Sequence, residues 1–287
     1  MKDIAAEQAV LSAVESGNET VAKLLAANSF NALVGQVRNL LAETISIMTH
    51  YGVTGKDRLL ATVSPNHIYG LLYTILTPLL ASASVAGATP AFPGEITQVL
   101  REVDASIFIS VPAHYRALNG HAVQAPRLRL AFSSAGMLAA EDAAAFSRQT
   151  GVSIAEIYGS TETGGIASRI RAKGETDFKP YEGIDLVVEA DGLKVRSDYL
   201  SPGLQRDARG YFKTGDRAES TPGGRFLLLG RDDGVVKVGG RRVDLEAVQE
   251  LVRNQSGVRD ALVISLPVGR SRENQVVAVV EGEVDPV

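Results

Sequence analysis

Val152-Ser153-Ile154-Ala155-Glu156-Ile157-Tyr158-Gly159-Ser160-Thr161-Glu162-Thr163-Gly164-Gly165 joins a short apolar run to a small polar loop closed by two glycines. Residues 152–157 predict a buried strand. The loop leaves from its carboxyl end, where open α/β sheets bind their ligands. Its composition suits an anion. Backbone N–H groups around Gly159 and the hydroxyls of Ser160 and Thr161 are donors for a phosphate, and the Glu162 carboxylate is an oxygen ligand for Mg²⁺. The same residues also suit an ordinary strand-to-loop exit, so the stretch alone leaves both readings open.

Toward the N-terminus, strand and helix alternate. Residues 3–14 are Ala-rich with helical spacing. Over residues 29–50, Phe30, Leu33, Val34, Val37, Leu40, Leu41, Ile45 and Met48 recur at three- and four-residue steps, which predicts an amphipathic helix capped by Gly52. A strand follows at 57–63, then a loop at 64–71 that opens a helix. Residues 68–85 are the most apolar segment and read as buried core. Strands at 83–85, 106–111 and 128–132 alternate with helices at 94–103, from Pro112 onward, and at 139–149. Proline suits the first turn of the second of these; His114 and Arg116 in it are expected to be solvated. Such alternation predicts a mainly parallel sheet layered with helices, an α/β fold.

Beyond Arg171 the character changes. Residues 184–196 read as two alternating strands joined by Asp191-Gly192, a hairpin signal. After a turn at 199–203, a strand is expected to end across residues 211–216 and another to run over 225–229. This is a small antiparallel β subdomain. Residues 235–238 and 241–244 then predict a ribbon around Gly239-Gly240, Asp244 caps a helix over 245–254, and strands follow at 261–265 and 276–280. That last part is a small α+β domain, so the expected organisation is a large domain over 1–229 and a C-terminal one over 231–287.

Composition excludes several functions. The chain has 287 residues, 45% of them apolar, a formal net charge of −4 and no cysteine. A net negative chain offers no basic field for nucleic acid, and without cysteine there are neither disulfides, thiolate metal sites nor a cysteine nucleophile. No run approaches the roughly 20 apolar residues of a membrane span, and the start lacks the pattern of a secretory signal. The expectation is a cytoplasmic protein.

Three stretches in order carry a resemblance: residues 157–165; Tyr211-Phe212-Lys213-Thr214-Gly215-Asp216; and Gly230-Arg231-Asp232-Asp233-Gly234-Val235-Val236-Lys237-Val238-Gly239-Gly240-Arg241-Arg242-Val243-Asp244-Leu245-Glu246. Together they resemble the AMP-forming acyl-activating family, which includes acyl-CoA synthetases, peptide-synthetase adenylation domains and luciferases. The resemblance covers residues 15–280. It implies that a small-molecule carboxylic acid attacks the α-phosphate of ATP, giving an acyl-adenylate and pyrophosphate. The thiol of coenzyme A or of a carrier-protein pantetheine then displaces AMP, which makes an acyl carrier protein an implied partner. Implied roles are Thr161 and Lys23 to phosphate, Glu162 to Mg²⁺, and Ser134, Ala135, Gly136, Tyr158 and Gly159 against adenine. Asp216 would grip the ribose hydroxyls, Arg231 the ribose or phosphate, and His67 and Tyr69 would line the acid pocket. Asp233 would be the hinge of a C-terminal lid. Each has a plainer alternative: His67 as a satisfied turn residue, Gly136 as a strand-ending turn, Asp216 as a turn cap.

The chain also departs from that pattern. Where the family carries the phosphate loop Ser-Gly-Thr-Thr-Gly-x-Pro-Lys, residues 15–23 match only at Ser16, Gly17 and Lys23, and Glu19 replaces a hydroxyl residue. A carboxylate a few Å from a triphosphate costs on the order of a few kcal/mol at a partly solvated site. The stretch also reads as a helical surface with a turn at Gly17. No residue matches the family's C-terminal lysine, and little chain precedes the phosphate loop. The expectation is an AMP-forming acid ligase shortened at both ends, or a reduced relative that binds AMP, an acyl-adenylate or the acid without turnover. A shortened front would expose apolar sheet surface, hence an expected homo-oligomer.

Overall fold

Strands β1 (Arg58–Ala61), β3 (Ile107–Ser110) and β4 (Leu130–Ser133) lie at the heart of a seven-stranded sheet in the order β2-β1-β3-β4-β5-β6-β7. The computed structural model describes residues 30–190, 192–231, 235–238, 241–267 and 274–283. The remaining members are β2 (Ser84–Val85), β5 (Ile154–Ser160), β6 (Gly164–Arg169) and β7 (Lys179–Pro180). From β2 to β5 the pairing is parallel; β6 and β7 are antiparallel. The fold is α/β, as its sequence implies.

Central strands covered on both faces read as continuous apolar runs, and Leu59-Leu60-Ala61 and Ile107-Phe108-Ile109 do so. Alternate residues then serve two cores. Leu59, Ile107, Ile109, Phe132 and Ile157 face α1 (Phe30–Tyr51) and the helical segment α2 (68–81), through Leu40, Ile47, Leu71, Leu72 and Leu76. Leu60, Phe108, Ala131 and Ile154 face the other side, against Ile96 and Leu100 of α3 (Pro93–Glu102), Tyr115 of α4 (Pro112–Ala117) and Phe146 of α5 (Ala140–Thr150). Each fully buried side chain of this kind is worth about 1.5–3 kcal/mol. Gly52 closes α1 at φ +60°, where a side chain would be strained.

Four local expectations change. The opening strand runs on to Ser160 and folds back as β6, so the polar loop is a hairpin tip at residues 161–163. Gly159 permits the close pairing: a Cβ there would sit 2.8 Å from the Gly165 Cα. Only the first part of the apolar segment 68–85 is core. Leu79, Leu80 and Val85 are exposed, after a π-helical stretch Leu71–Leu76 that precedes Pro78, which has no N–H for an α ladder. His114 is not simply solvated, because its Nδ1 lies 2.7 Å from the Thr62 hydroxyl, and Arg116 reaches buried Asp142 at 3.5 Å.

The chain divides into two compact units. One runs to Asp185 and resumes over Val195–Phe212; the other comprises Leu186–Lys194 and the chain from Lys213 onward. In the second, β11 (Asp216–Thr221) pairs with β12 (Arg225–Arg231), β13 (Val235–Val238) with β14 (Arg241–Asp244), and β15 (Val258–Pro267) with β16 (Asn274–Gly282), all antiparallel. Before them in the chain come β8 (Asp185–Glu189), β9 (Gly192–Arg196) and the short β10 (Phe212–Lys213), so Asp216 opens a strand instead of closing one. Helix α6 (Leu245–Arg253) starts where expected, with the Asp244 carboxylate accepting from the Glu246 and Ala247 amides. No described helix is long and apolar enough to cross a membrane.

Candidate functional site

The carboxyl ends of the parallel strands collect hydroxyl groups. Thr62 follows β1, Ser110 ends β3 and Ser133 ends β4. Thr62 and Ser110 bond each other at 2.7 Å, and His114 closes the chain on Thr62. Burial disfavours the charged imidazole of His114 and lowers its pKa. The Ser133 hydroxyl is buried and has no hydrogen-bond partner among the described residues, a state that costs about 1–3 kcal/mol.

After β4, the loop Ser134-Ala135-Gly136 is tied to the next strand by the Ser134 hydroxyl, which donates to the Ile157 carbonyl at 3.0 Å. Ala135 takes φ +64°, left-handed backbone that is uncommon outside glycine. Ala135 and Gly136 are exposed, Tyr158 is half-buried and its ring lies 5.6 Å from that of Phe178. Exposed backbone at a strand end beside an aromatic ring is a suitable surface for a flat base.

The hairpin tip is braced from within. The Ser160 amide donates to the Thr163 hydroxyl at 3.0 Å, the Glu162 amide to the Ser160 hydroxyl at 3.3 Å, and the Thr163 hydroxyl to the Gly164 carbonyl at 2.9 Å. Ser201 holds the outside, its amide donating to the Glu162 carbonyl and its hydroxyl to that of Thr161. Thr163 is buried, while Thr161 and Glu162 are exposed. The Ser160 donors expected for a phosphate are thus engaged within the loop. Among the described residues no group of three or more His, Asp or Glu is placed to hold a metal. One exposed carboxylate still fits Mg²⁺, which keeps most of its water and takes only one or two protein carboxylates beside phosphate.

Beneath the tip lies Glu43 of α1, a residue the sequence did not single out. Its Oε1 accepts from the Gly165 amide at 2.5 Å, and the side chain is almost fully buried. Burial pushes its carboxyl up to about 7, against the opposing pull of the Gly165 hydrogen bond.

His67 is exposed at the start of α2 and makes no side-chain cap bond. Tyr69 turns inward, its hydroxyl donating to the Ser110 carbonyl at 3.2 Å, and burial holds its pKa well above the usual value.

In the second unit, Asp216 and Arg231 stand opposite each other across β11 and β12, with Oδ1 3.9 Å from Nη1. The turn before them is set by Thr214, whose amide and hydroxyl both reach the Leu193 carbonyl and whose hydroxyl accepts from the Asp216 amide. A Cβ at Gly215 would lie 3.1 Å from Arg231 Nη2. Lys23 and Asp233 lie outside the described residues.

Comparison with known proteins supplies a context for this geometry. A family profile described as AMP-binding enzyme matches residues 32–203. The 4-chlorobenzoate–CoA ligase of Arthrobacter sp is 26% identical over 258 residues, covering 80% of this chain and 49% of that ligase. The 4-coumarate–CoA ligase of Rhodobacter capsulatus is 30% identical over 213 residues, covering 71% of this chain and 48% of that ligase. Among solved structures, a variant of E. coli MenE with bound OSB-AMS matches with a TM-score of 0.75 at 19% identity, over 88% of this chain and 56% of that one. ATP-bound MatB from Rhodopseudomonas palustris matches with a TM-score of 0.70 at 23% identity, over 87% and 55%. These structural likenesses show a shared fold. The chain spans about half the length of the curated relatives it matches.

Proposed function

The chain belongs to the AMP-binding enzyme family, and from that premise we propose that it binds an adenine nucleotide at the carboxyl ends of β4 and β5 and serves the activation of a small carboxylic acid as its adenylate. The observation that carries this reading is the tip of the β5–β6 hairpin. Its backbone is consumed by internal bonds through Ser160, Thr163 and Ser201, while Thr161 and Glu162 stay exposed. Donors fixed in advance of the reaction stabilise developing charge without reorganisation.

Thr161 is assigned to a phosphate oxygen and Glu162 to Mg²⁺, which when bound offsets charge on the phosphates. The loop Ser134-Ala135-Gly136 with Tyr158 and Gly159 takes the adenine face. By the resemblance, Asp216 takes the ribose hydroxyls with two acceptor oxygens, Arg231 the nucleotide, His67 and Tyr69 the acid, Lys23 the phosphates and Asp233 a hinge. The acid's carboxylate would attack the α-phosphorus, expelling pyrophosphate; a thiol, of coenzyme A or of a carrier-protein pantetheine, would then take the acyl group and release AMP. The cysteine-free composition fits a cytoplasmic setting.

A second reading has its own observation. Glu19, where the resemblance expects a hydroxyl residue, opposes a triphosphate and favours a chain that binds AMP or an acyl-adenylate without turnover. Calorimetric titration with ATP, AMP and a non-hydrolysable acyl-adenylate, with pyrophosphate exchange over a panel of acids, separates the two. Exchange above background supports the ligase, AMP binding without exchange supports the second reading, and absence of any binding refutes both.

A further inference from the structure

Helix α1 carries two polar side chains four residues apart, Asn39 and Glu43, a spacing that places both on one face. Asn39 Nδ2 donates to the Leu200 carbonyl at 2.7 Å, and the next residue, Ser201, holds the carbonyls of Thr161 and Glu162. Glu43 accepts from the Gly165 amide on the other leg of the same hairpin, 122 residues away in the chain. From Gly165 the line continues inward, since the Gly164 carbonyl accepts from the Thr163 hydroxyl, which itself accepts from the Ser160 amide.

The fit at Glu43 is close. Gly164 takes φ +65°, and a Cβ there would lie 2.7 Å from the Glu43 carboxyl carbon; one at Gly165 would lie 3.3 Å from Oε1. Two consecutive glycines let the carboxyl reach the backbone. Among the described residues no cation lies within ion-pair distance of Glu43. The space beside it, lined among others by Ser46, His50, Tyr51, Tyr73 and Tyr181, has room for about one water molecule. A buried carboxyl with one amide partner is a poor stabiliser compared with an apolar side chain of its size. The interaction it does make is with the loop.

We propose that Glu43 is a positioning residue: through Gly165, with Asn39 acting through Leu200 and Ser201, it holds the tip so that Thr161 and Glu162 stand ready for a phosphate and its cation. The consequence for ligand binding rests on the nucleotide-binding reading above; the clamp itself does not.

Hydrogen exchange of the full chain without ligand, followed over residues 158–166, tests the clamp in Glu43→Ala, Glu43→Asp and Glu43→Gln. Alanine removes the acceptor and aspartate withdraws it by one methylene. Both should speed exchange of this segment by about tenfold, the scale of one lost buried hydrogen bond, while β1 and β3 keep their protection. Glutamine retains an acceptor oxygen and should stay close to the parent. Should alanine not fold, aspartate carries the same comparison. Unchanged exchange in Glu43→Asp, or exchange in Glu43→Gln as fast as in Glu43→Asp, overturns the clamp. AMP titration then reads the consequence: Glu43→Asp should weaken AMP by about tenfold and Glu43→Gln should restore it. Faster exchange with AMP affinity unchanged overturns the positioning role. Absence of AMP binding in the parent chain fails the functional reading instead, and exchange alone then judges the clamp.

Discussion

Replacing Glu43 with glutamine should alter the stability of the first unit by an amount that depends on pH. Burial raises the Glu43 carboxyl from 4.5 to about 7, with the Gly165 amide pulling the other way. Below pH 4.5 the carboxyl is protonated in folded and unfolded chains alike, and its contribution is at its best. Between 4.5 and 7 the folded chain keeps a proton that the unfolded chain has released, so stability falls as pH rises. Above 7 the loss is complete. At 1.36 kcal/mol per pH unit the interval is worth about 3 kcal/mol. Glutamine has no proton to lose and keeps an acceptor for Gly165, so the variant should gain on the parent across this window and hold its advantage at pH 8. His50 and Tyr51 on the same helix, with Tyr73, Tyr181 and Tyr199, line the space around the carboxyl; burial, with a smaller push from the Glu43 charge, holds Tyr73 and Tyr181 well above the usual phenol range, so neither releases a proton between pH 5 and 8. The chain has 8 tyrosines and no tryptophan, so urea unfolding is best followed by circular dichroism, at pH 5, 6, 7 and 8. A gap that stays flat with pH, or that opens toward acid, refutes the reasoning.

Asp57 should show the opposite dependence. Burial pushes its carboxyl up, but the bonds from Arg129, the Thr54 amide and Ser106 outweigh that and hold it at about 2, so about 2 kcal/mol of stability is present above pH 3.8 and lost as pH falls toward 2. Asp57→Asn should remove that acid limb in denaturant titrations between pH 2 and 4; an unaltered limb would discount the network. Asp216→Ala should weaken AMP by about 1.5–3 kcal/mol, the scale of hydrogen bonds to a charged group, and calorimetry showing no change would withdraw the ribose assignment. Gly159→Ala drives a methyl into the Gly164 carbonyl oxygen and places it 2.8 Å from Gly164 C and Gly165 Cα, all backbone, so the cost should be at least about 1–3 kcal/mol, the scale of core overpacking; a thermal midpoint equal to the parent's would show that the hairpin yields freely. Glu19→Thr should strengthen ATP more than AMP, and equal gains for both would show that Glu19 does not face the phosphates.

What the sequence discloses follows from how far apart the determining residues lie. β1 and β3 are legible because burial on both faces leaves continuous apolar runs, and the Asp244 cap because its partners, Glu246 and Ala247, are its immediate neighbours. β6 is not legible. Gly164, Gly165, Ser168 and Arg169 carry no apolar period, and the strand takes its place from pairing with β5 and from a carboxylate on α1. For the same reason Thr161 and Glu162 can be proposed from their own stretch, whereas the contacts of Glu43, Asn39 and Ser201 with the hairpin come only with the fold. Asp216 lies at the opposite end of a strand from the one its stretch predicts, since Thr214 and Gly215 look like a terminating turn and here form the entry to β11.

The tip of the β5–β6 hairpin also shows why a motif of small polar residues need not be interchangeable within itself. Six consecutive positions, Ser160 to Gly165, carry hydroxyls, a carboxylate or glycine, and each could in principle face a ligand. Their hydrogen bonds divide them: Ser160 and Thr163 satisfy each other and the backbone, Gly164 and Gly165 admit the Glu43 carboxyl, and only Thr161 and Glu162 project. A loop that spent its own donors on the ligand would have to order itself at each binding event, at about 1–2 kcal/mol per residue fixed. Bracing from α1 and Ser201 places that cost in folding, and leaves one exposed hydroxyl and one exposed carboxylate for the proposed phosphate and cation. Substitutions at Ser160 or Thr163 should therefore act through loop order, and those at Thr161 or Glu162 through the ligand alone.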